Sequence, residues 1–192
     1  FIPAAERYQL MPAIDRWVVR RALQLLRDGR VPAVAGHVAI NLSGQSVADH
    51  EFLDFVIGAI EDSGIDPALI CFEITETAAI TNLSRAVEFI GVMHDMGCHF
   101  ALDDFGTGLS SFAYLRTLRV DYLKIDGSFV REIVDAAVEL AMVESVNQIG
   151  HMMGMQTVAE FAEDEAIIEA LRRIGVDYVQ GYAIDRPHAW IG

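Results

Sequence analysis

Cys98-His99-Phe100-Ala101-Leu102-Asp103-Asp104 decides the fold, because it alternates two kinds of side chain and then stops on two acids. Successive side chains of a strand point to opposite faces, so Phe100 and Leu102 share one face while His99, Ala101 and Asp103 share the other. A Gly/Ser loop beginning at Phe105 and Gly106 and a short helix near 110–118 follow. The next run, 121–126, repeats the pattern, with Leu123 and Ile125 opposed to Lys124 and Asp126. It leads into what reads as the longest helix, 129–150.

The same unit recurs in both directions along the chain. Upstream, strand 69–76 sets Phe72 and Ile74 against Cys71, Glu73 and Thr75, and helix 83–96 follows it. Before that, strand 37–43 carries Asn41 and precedes helix 47–63, which Gly64 ends. Downstream, strand 155–160 ends on Glu160 before helix 163–174, and strand 178–182 carries Gln180 ahead of Pro187. The first helix places Ile14, Trp17, Val18, Ala22, Leu25 and Leu26 at helical spacing and stops at Gly29.

Six parallel strands, each followed by a helix or turn and each tipped with a polar residue, predict an α/β fold of TIM-barrel type. Its chemistry is expected at the C-terminal strand ends. Six strands do not close an eight-stranded barrel. Because Phe1 begins just before a helix, the first two strands are expected upstream, leaving the barrel incomplete within residues 1–192, which read as one domain.

Composition narrows the partners. A formal charge of -14 repels polyanions and no basic stripe with interleaved aromatics occurs, so a long nucleic acid is not expected. A small phosphorylated ligand is compatible with that charge once divalent cations reverse the local field. No uninterrupted run of about 18 apolar residues is present, and no membrane span is expected. Cys71 and Cys98 lie in strands without a metal spacing and read as buried free thiols of a reducing compartment, which points to the cytoplasm.

Asn41, Glu73, Asp103, Asp104 and Glu160 supply only oxygen donors, the set that suits Mg²⁺ or Mn²⁺. Four carboxylates gathered in one place would raise one another's pKa unless cations joined them. Adjacent acids at a strand end can serve two ions about 4 Å apart, a spacing used for in-line phosphoester hydrolysis. Lys124 would orient the water or offset the developing charge, or it could be a structural partner of Asp126 or Glu160. Glu76 could hold the loop at 105–111 instead of a metal. A barrel glycosidase with two carboxylates is a further reading, which the adjacent acids disfavour.

The chain resembles the EAL domain family, bacterial phosphodiesterases that cleave cyclic di-GMP. The matching strings run in family order: Phe1-Ile2-Pro3, Asn41-Leu42-Ser43, Glu73-Ile74-Thr75-Glu76, Ala101-Leu102-Asp103-Asp104-Phe105-Gly106-Thr107-Gly108, Leu123-Lys124-Ile125-Asp126, Val158-Ala159-Glu160 and Gln180-Gly181-Tyr182. The resemblance implies hydrolysis of cyclic di-GMP to linear pGpG, with metals on Asn41, Glu73, Asp103, Asp104 and Glu160. It implies catalytic roles for Lys124, Glu160 and Glu76, and places Asp126, Glu163 and Gln180 around the nucleotide. It further implies a homodimer and a longer parent with fused diguanylate cyclase or sensor domains, whose Glu-Ala-Leu signature lies upstream of Phe1. Three departures are visible: Phe161-Ala162 stands for the usual Gly-Val, Leu109 for a common Tyr, and Gly127 for a common Arg. They leave a noncatalytic cyclic di-GMP receptor as the alternative.

Overall fold

The computed structural model describes residues 1–31, 36–106 and 113–187. Its described residues fall into two compact units, one within Phe1–Phe100 together with Thr117–Arg119, the other from Ala101 onward apart from those three.

The first unit opens on α1 (Ile2–Arg7) and α2 (Met11–Arg27), each with a proline in its first turn, where the missing N–H has no helical partner to lose. The buried stripe of α2 differs from expectation. It contains Met11, Asp15, Val19, Ala22, Leu23 and Leu25, whereas Trp17 faces solvent at 66 % exposure. Strand β1 (Val38–Asn41) follows, with Val38 and Ile40 buried and Ala39 and Asn41 exposed, as strand alternation requires. The predicted helix 47–63 is divided into α3 (Gly44–Val47), capped by Ser43, and α4 (His50–Ser63), capped by Asp49 and closed by left-handed Gly64.

A 3₁₀ turn at Pro67–Leu69 enters β2 (Ile70–Thr75). β2 pairs in parallel with β1, and Asn41 lies opposite Glu73. Thr75 then caps α5 (Glu76–Thr81), a helix that spacing alone does not announce, and α6 (Leu83–Asp95) leads to the start of β3 (His99–Phe105). Phe52, Phe72, Phe89 and Phe100 hold this unit's core, with ring centroids 5.6 to 6.2 Å apart. Phe52 stacks on Phe89, and the other pairs are tilted or edge-to-face. Cys71 and Cys98 are buried and form no disulfide, and burial pushes the Cys98 thiol up to about 12.

In the second unit β3 pairs with β4 (Tyr122–Ile125). The helix expected at 129–150 is instead α7 (Gly127–Val130), capped by Asp126, and α8 (Ala137–Met152). No glycine or proline marks the break; Ala136 is extended at φ -121° and ψ 112°, so a new helix begins there. β5 (Gln156–Ala159), α9 (Glu165–Ile174) and β6 (Tyr178–Val179) complete the unit. The ladders β3–β4, β4–β5 and β5–β6 are all parallel. β6 is shorter than the predicted 178–182 because the carbonyls of Gln180 and Gly181 turn aside to accept from Ala162 and Ile184. Of the helix expected near 110–118, residues 110–112 lie outside the described ones, and Tyr114–Arg116 forms a 3₁₀ turn. Leu109 and most of the loop assigned to Glu76 also lie outside them.

Candidate metal centre

An irregularity in β3 creates the site. Leu102 pairs with Leu123 and Phe105 with Ile125, so three steps along β3 match two along β4. This extra residue is a β-bulge, and Asp104 within it adopts φ +54°. Left-handed backbone is tolerated by Asp better than by most residues because its short polar side chain bonds locally. In a regular strand Asp103 and Asp104 would face opposite ways. Here ligand oxygens of Asp103, Asp104 and Glu160 all lie within 4.8 Å of one another. The turning of Asp104 toward its neighbour is therefore made by its own backbone.

Lys124 stands among these acids. Its side chain is 4 % exposed, with Nζ 3.0 Å from Asp103 Oδ1 and 2.8 Å from Glu160 Oε1. Of the two structural partners considered for it, Glu160 is a direct contact. Asp103 also accepts the Asp104 N–H at 3.0 Å. Burial, then the charges of Asp103 and Asp126, raise the Asp104 carboxyl above its ordinary range, and a hydrogen bond with Asp126 adds to this. Burial likewise raises Glu160, although Lys124 pulls it down. Crowded carboxylates above their usual pKa, with one ammonium already drawn among them, fit a hard divalent cation.

Asp126 caps α7 by accepting from Ser128 N at 2.8 Å. Beyond Glu160, Phe161 adopts φ +54°, and its ring lies 4.2 Å beneath the Arg131 guanidinium, which also pairs with Glu163 at 3.4 Å. Glu160, Phe161, Glu163, Gln180, Gly181, Tyr182 and Pro187 line a cavity of about 240 Å³. The second unit thus brings together Asp103, Asp104, Lys124 and Glu160, with Glu163 and Gln180 on the adjoining cavity.

Asn41, Glu73 and Glu76 belong to the first unit. Asn41 is exposed at the end of β1 opposite the buried Glu73, and Leu42 N donates to the Glu73 carbonyl at 2.8 Å. Glu76 begins α5 and is 2 % exposed. Two features escape a reading by residue type. Asp15 is buried against Ser43 and Ser46, detectable only from its i+4 spacing between Met11 and Val19. Arg131 reaches Phe161 and Glu163 from a distant part of the chain, with no local signal at all.

The family profile described as "EAL domain" matches residues 1–187. The cyclic di-GMP phosphodiesterase PdeB of Shewanella oneidensis is 44 % identical over 187 residues, covering 97 % of this chain and 22 % of that protein. PdeF of Escherichia coli, also a cyclic di-GMP phosphodiesterase, is 39 % identical over 191 residues, covering 100 % of this chain and 26 % of its own length. The chain therefore spans about a quarter of these relatives. Among solved structures, the PaMucR phosphodiesterase in complex with c-di-GMP superposes with a TM-score of 0.90 at 32 % identity, covering 97 % of this chain and 76 % of that one. The FimX EAL domain from Pseudomonas aeruginosa bound to c-di-GMP gives 0.91 at 26 % identity, covering 100 % and 77 %. The TIM-barrel-like α/β class read from the sequence is the fold the chain shares with them.

Proposed function

The chain belongs to the EAL domain family, and from that premise we propose that, within a longer cytoplasmic bacterial signalling protein, it hydrolyses cyclic di-GMP to linear pGpG. The observation that carries this reading is the bulge that gathers Asp103, Asp104 and Glu160 around a buried Lys124. In our reading Asn41, Glu73, Asp103, Asp104 and Glu160 hold two Mg²⁺ or Mn²⁺ ions. When bound, such ions supply Lewis acids for the phosphodiester oxygens.

The chain's own residues do the rest. Lys124 keeps a fixed positive charge within hydrogen-bond distance of two carboxylates, where it offsets the negative charge that grows as water attacks phosphorus. One P–O bond forms to the water oxygen and the opposite ester P–O bond breaks. The proton passes to the departing ribose oxygen, so the ring opens to a 5′-phosphorylated dinucleotide. Glu163 and Gln180, on the 240 Å³ cavity next to Glu160, orient the nucleotide together with Asp126. Glu76, buried at the start of α5, supports the loop after β3. The close-set carboxylates disfavour a glycosidase, whose acid and base stand at least about 5 Å apart.

The test is turnover of cyclic di-GMP by the protein carrying this chain with its upstream residues, in Mn²⁺ and in chelator, with pGpG followed chromatographically. Metal-dependent release of pGpG that Asp103→Asn abolishes is the expected result. Tight binding without turnover would instead establish the receptor reading that Phe161 and Gly127 suggest.

A further inference from the structure

We infer that Asp15 is a positioning residue for Asn41: it holds, from helix α2, the turn on which the end of β1 is mounted. The inference rests on the reading of Asn41 as a metal ligand. Asp15 is 3 % exposed. Its Oδ2 accepts from Ser43 N at 2.9 Å, from Ser43 Oγ at 2.7 Å and from Ser46 Oγ at 2.6 Å. Each of these donors is neutral, and all three belong to one turn.

That choice of residue demands a reason. Burying a carboxylate without an opposite charge costs several kcal/mol, more than a turn requires for its own stability. The α3 turn is already closed locally, since Ser43 Oγ accepts from Ser46 N. What Asp15 adds is a tie between two elements, α2 and the exit of β1. Three charge-assisted bonds converging on one oxygen fix position and direction more tightly than a neutral cap would. Only Leu42 separates Asn41 from Ser43, and Leu42 is itself 5 % exposed with its N–H on the Glu73 carbonyl. The backbone of Asn41 is therefore pinned on both sides, by the β2 ladder before it and by the Asp15 anchor after it, while its side chain stays exposed. A ligand on the last residue of a strand needs such an anchor, because a displacement of about 1 Å is enough to spoil a metal site.

The test is a double-mutant cycle read by Mn²⁺ affinity in calorimetry, with thermal stability measured beside it. Asp15→Asn can set its one amide oxygen where Oδ2 stands but lacks the charge that strengthens all three bonds, so the anchor loosens. We expect it to weaken Mn²⁺ binding about 10- to 100-fold, the range found when a group supporting a ligand is lost. In an Asn41→Ala background the same change should weaken binding by no more than about twofold, since there is no ligand left to misplace. Its effect on Tm should be equal in both backgrounds, so a merely structural role would move only the Tm. Ser46→Ala, which removes one of the three bonds, should give an intermediate loss of affinity and serves where Asp15→Asn does not fold. Loss of affinity from Asn41→Ala combined with unchanged affinity in Asp15→Asn and Ser46→Ala would overturn the role of Asp15 alone. No effect of Asn41→Ala would overturn this inference and the ligand assignment together.

Discussion

The ring of Phe161 occupies the space that a side chain at Gly127 would need: a Cβ built on Gly127 would stand 2.0 Å from Phe161 Cδ2 and 2.6 Å from its Cγ. The two positions are thus coupled, since the ring at 161 as it stands requires a bare residue at 127. Gly127→Ala should cost about 1–3 kcal/mol by overpacking. Phe161→Gly, which removes the ring and suits φ +54°, should restore most of that loss in the double variant. Chemical denaturation of the four proteins measures the coupling; strictly additive losses would show that the ring does not depend on the glycine.

Lys124 is the cation about which the acids of the second unit are arranged, and its removal leaves Asp103 and Glu160, 12 % and 11 % exposed, without that charge. Breaking a buried pair by deleting one partner costs about 3–5 kcal/mol, which for a chain of this size lowers Tm on the order of 10 °C. Lys124→Met should show that loss in chelator. Mn²⁺ should then raise the Tm of the variant by more than it raises that of the parent, because the ion replaces a charge the parent already has. An equal rise in both proteins would mean that Lys124 and the metal do not share the same acids.

How far the sequence can be read depends on the range of the interaction. Alternation of Phe100 and Leu102 with Ala101 and Asp103 is local, and the strands appear where it places them. Gly64 and Gly175, each left-handed at a helix end, mark α4 and α9 equally plainly. The gap between α7 and α8 is illegible because no residue in Arg131–Ala136 forbids a helix; Ile133 is buried there by tertiary packing. At the site, the residue types of Asp103, Asp104 and Glu160 are readable, but the bulge that lets neighbours cooperate is not. It exists only in the register between β3 and β4. Asp15 is hidden for another reason: a stripe searched for apolar residues passes over a carboxylate in it.

The pH dependence follows from the two raised acids. Asp104 is lifted above 3.8 by burial and then by Asp103 and Asp126, and Glu160 is lifted above 4.5 by burial. A carboxyl with a raised folded pKa holds its proton more tightly in the native state. Its stabilising contribution is full below the unfolded value and is lost as pH rises through the folded one. Metal binding has the opposite sign, since an ion needs these groups deprotonated. In chelator, Asp104→Asn should therefore flatten the decline in stability above about pH 4, the unfolded carboxylate range, while Mn²⁺ affinity of the parent should climb across the same window. Calorimetry near pH 5, about one unit above that range, in buffers of different ionisation heat should show protons released on Mn²⁺ binding, fewer with Asp104→Asn. Proton uptake would reverse the assignment.

Gly181 tests whether the cavity beside Glu160 tolerates any adjustment. A Cβ there would lie 2.2 Å from Ala162 O and 2.3 Å from Ala162 N, so it meets backbone and not a side chain that could swing away. That backbone is held in turn, Ala162 N donating to Gln180 O and Ala183 N to Ala162 O, both at 3.0 Å. Gly181→Ala should accordingly cost at least about 2 kcal/mol and shift Gln180, weakening the nucleotide binding we propose for the neighbouring cavity. Gly58, inside α4, supplies the contrast, since a Cβ added to it would meet nothing within 4 Å. Gly58→Ala should stabilise by about 0.5–1 kcal/mol and leave nucleotide affinity unchanged. Titration of cyclic di-GMP against both variants separates the cases, and equal affinities would remove Gln180 from the nucleotide's surroundings.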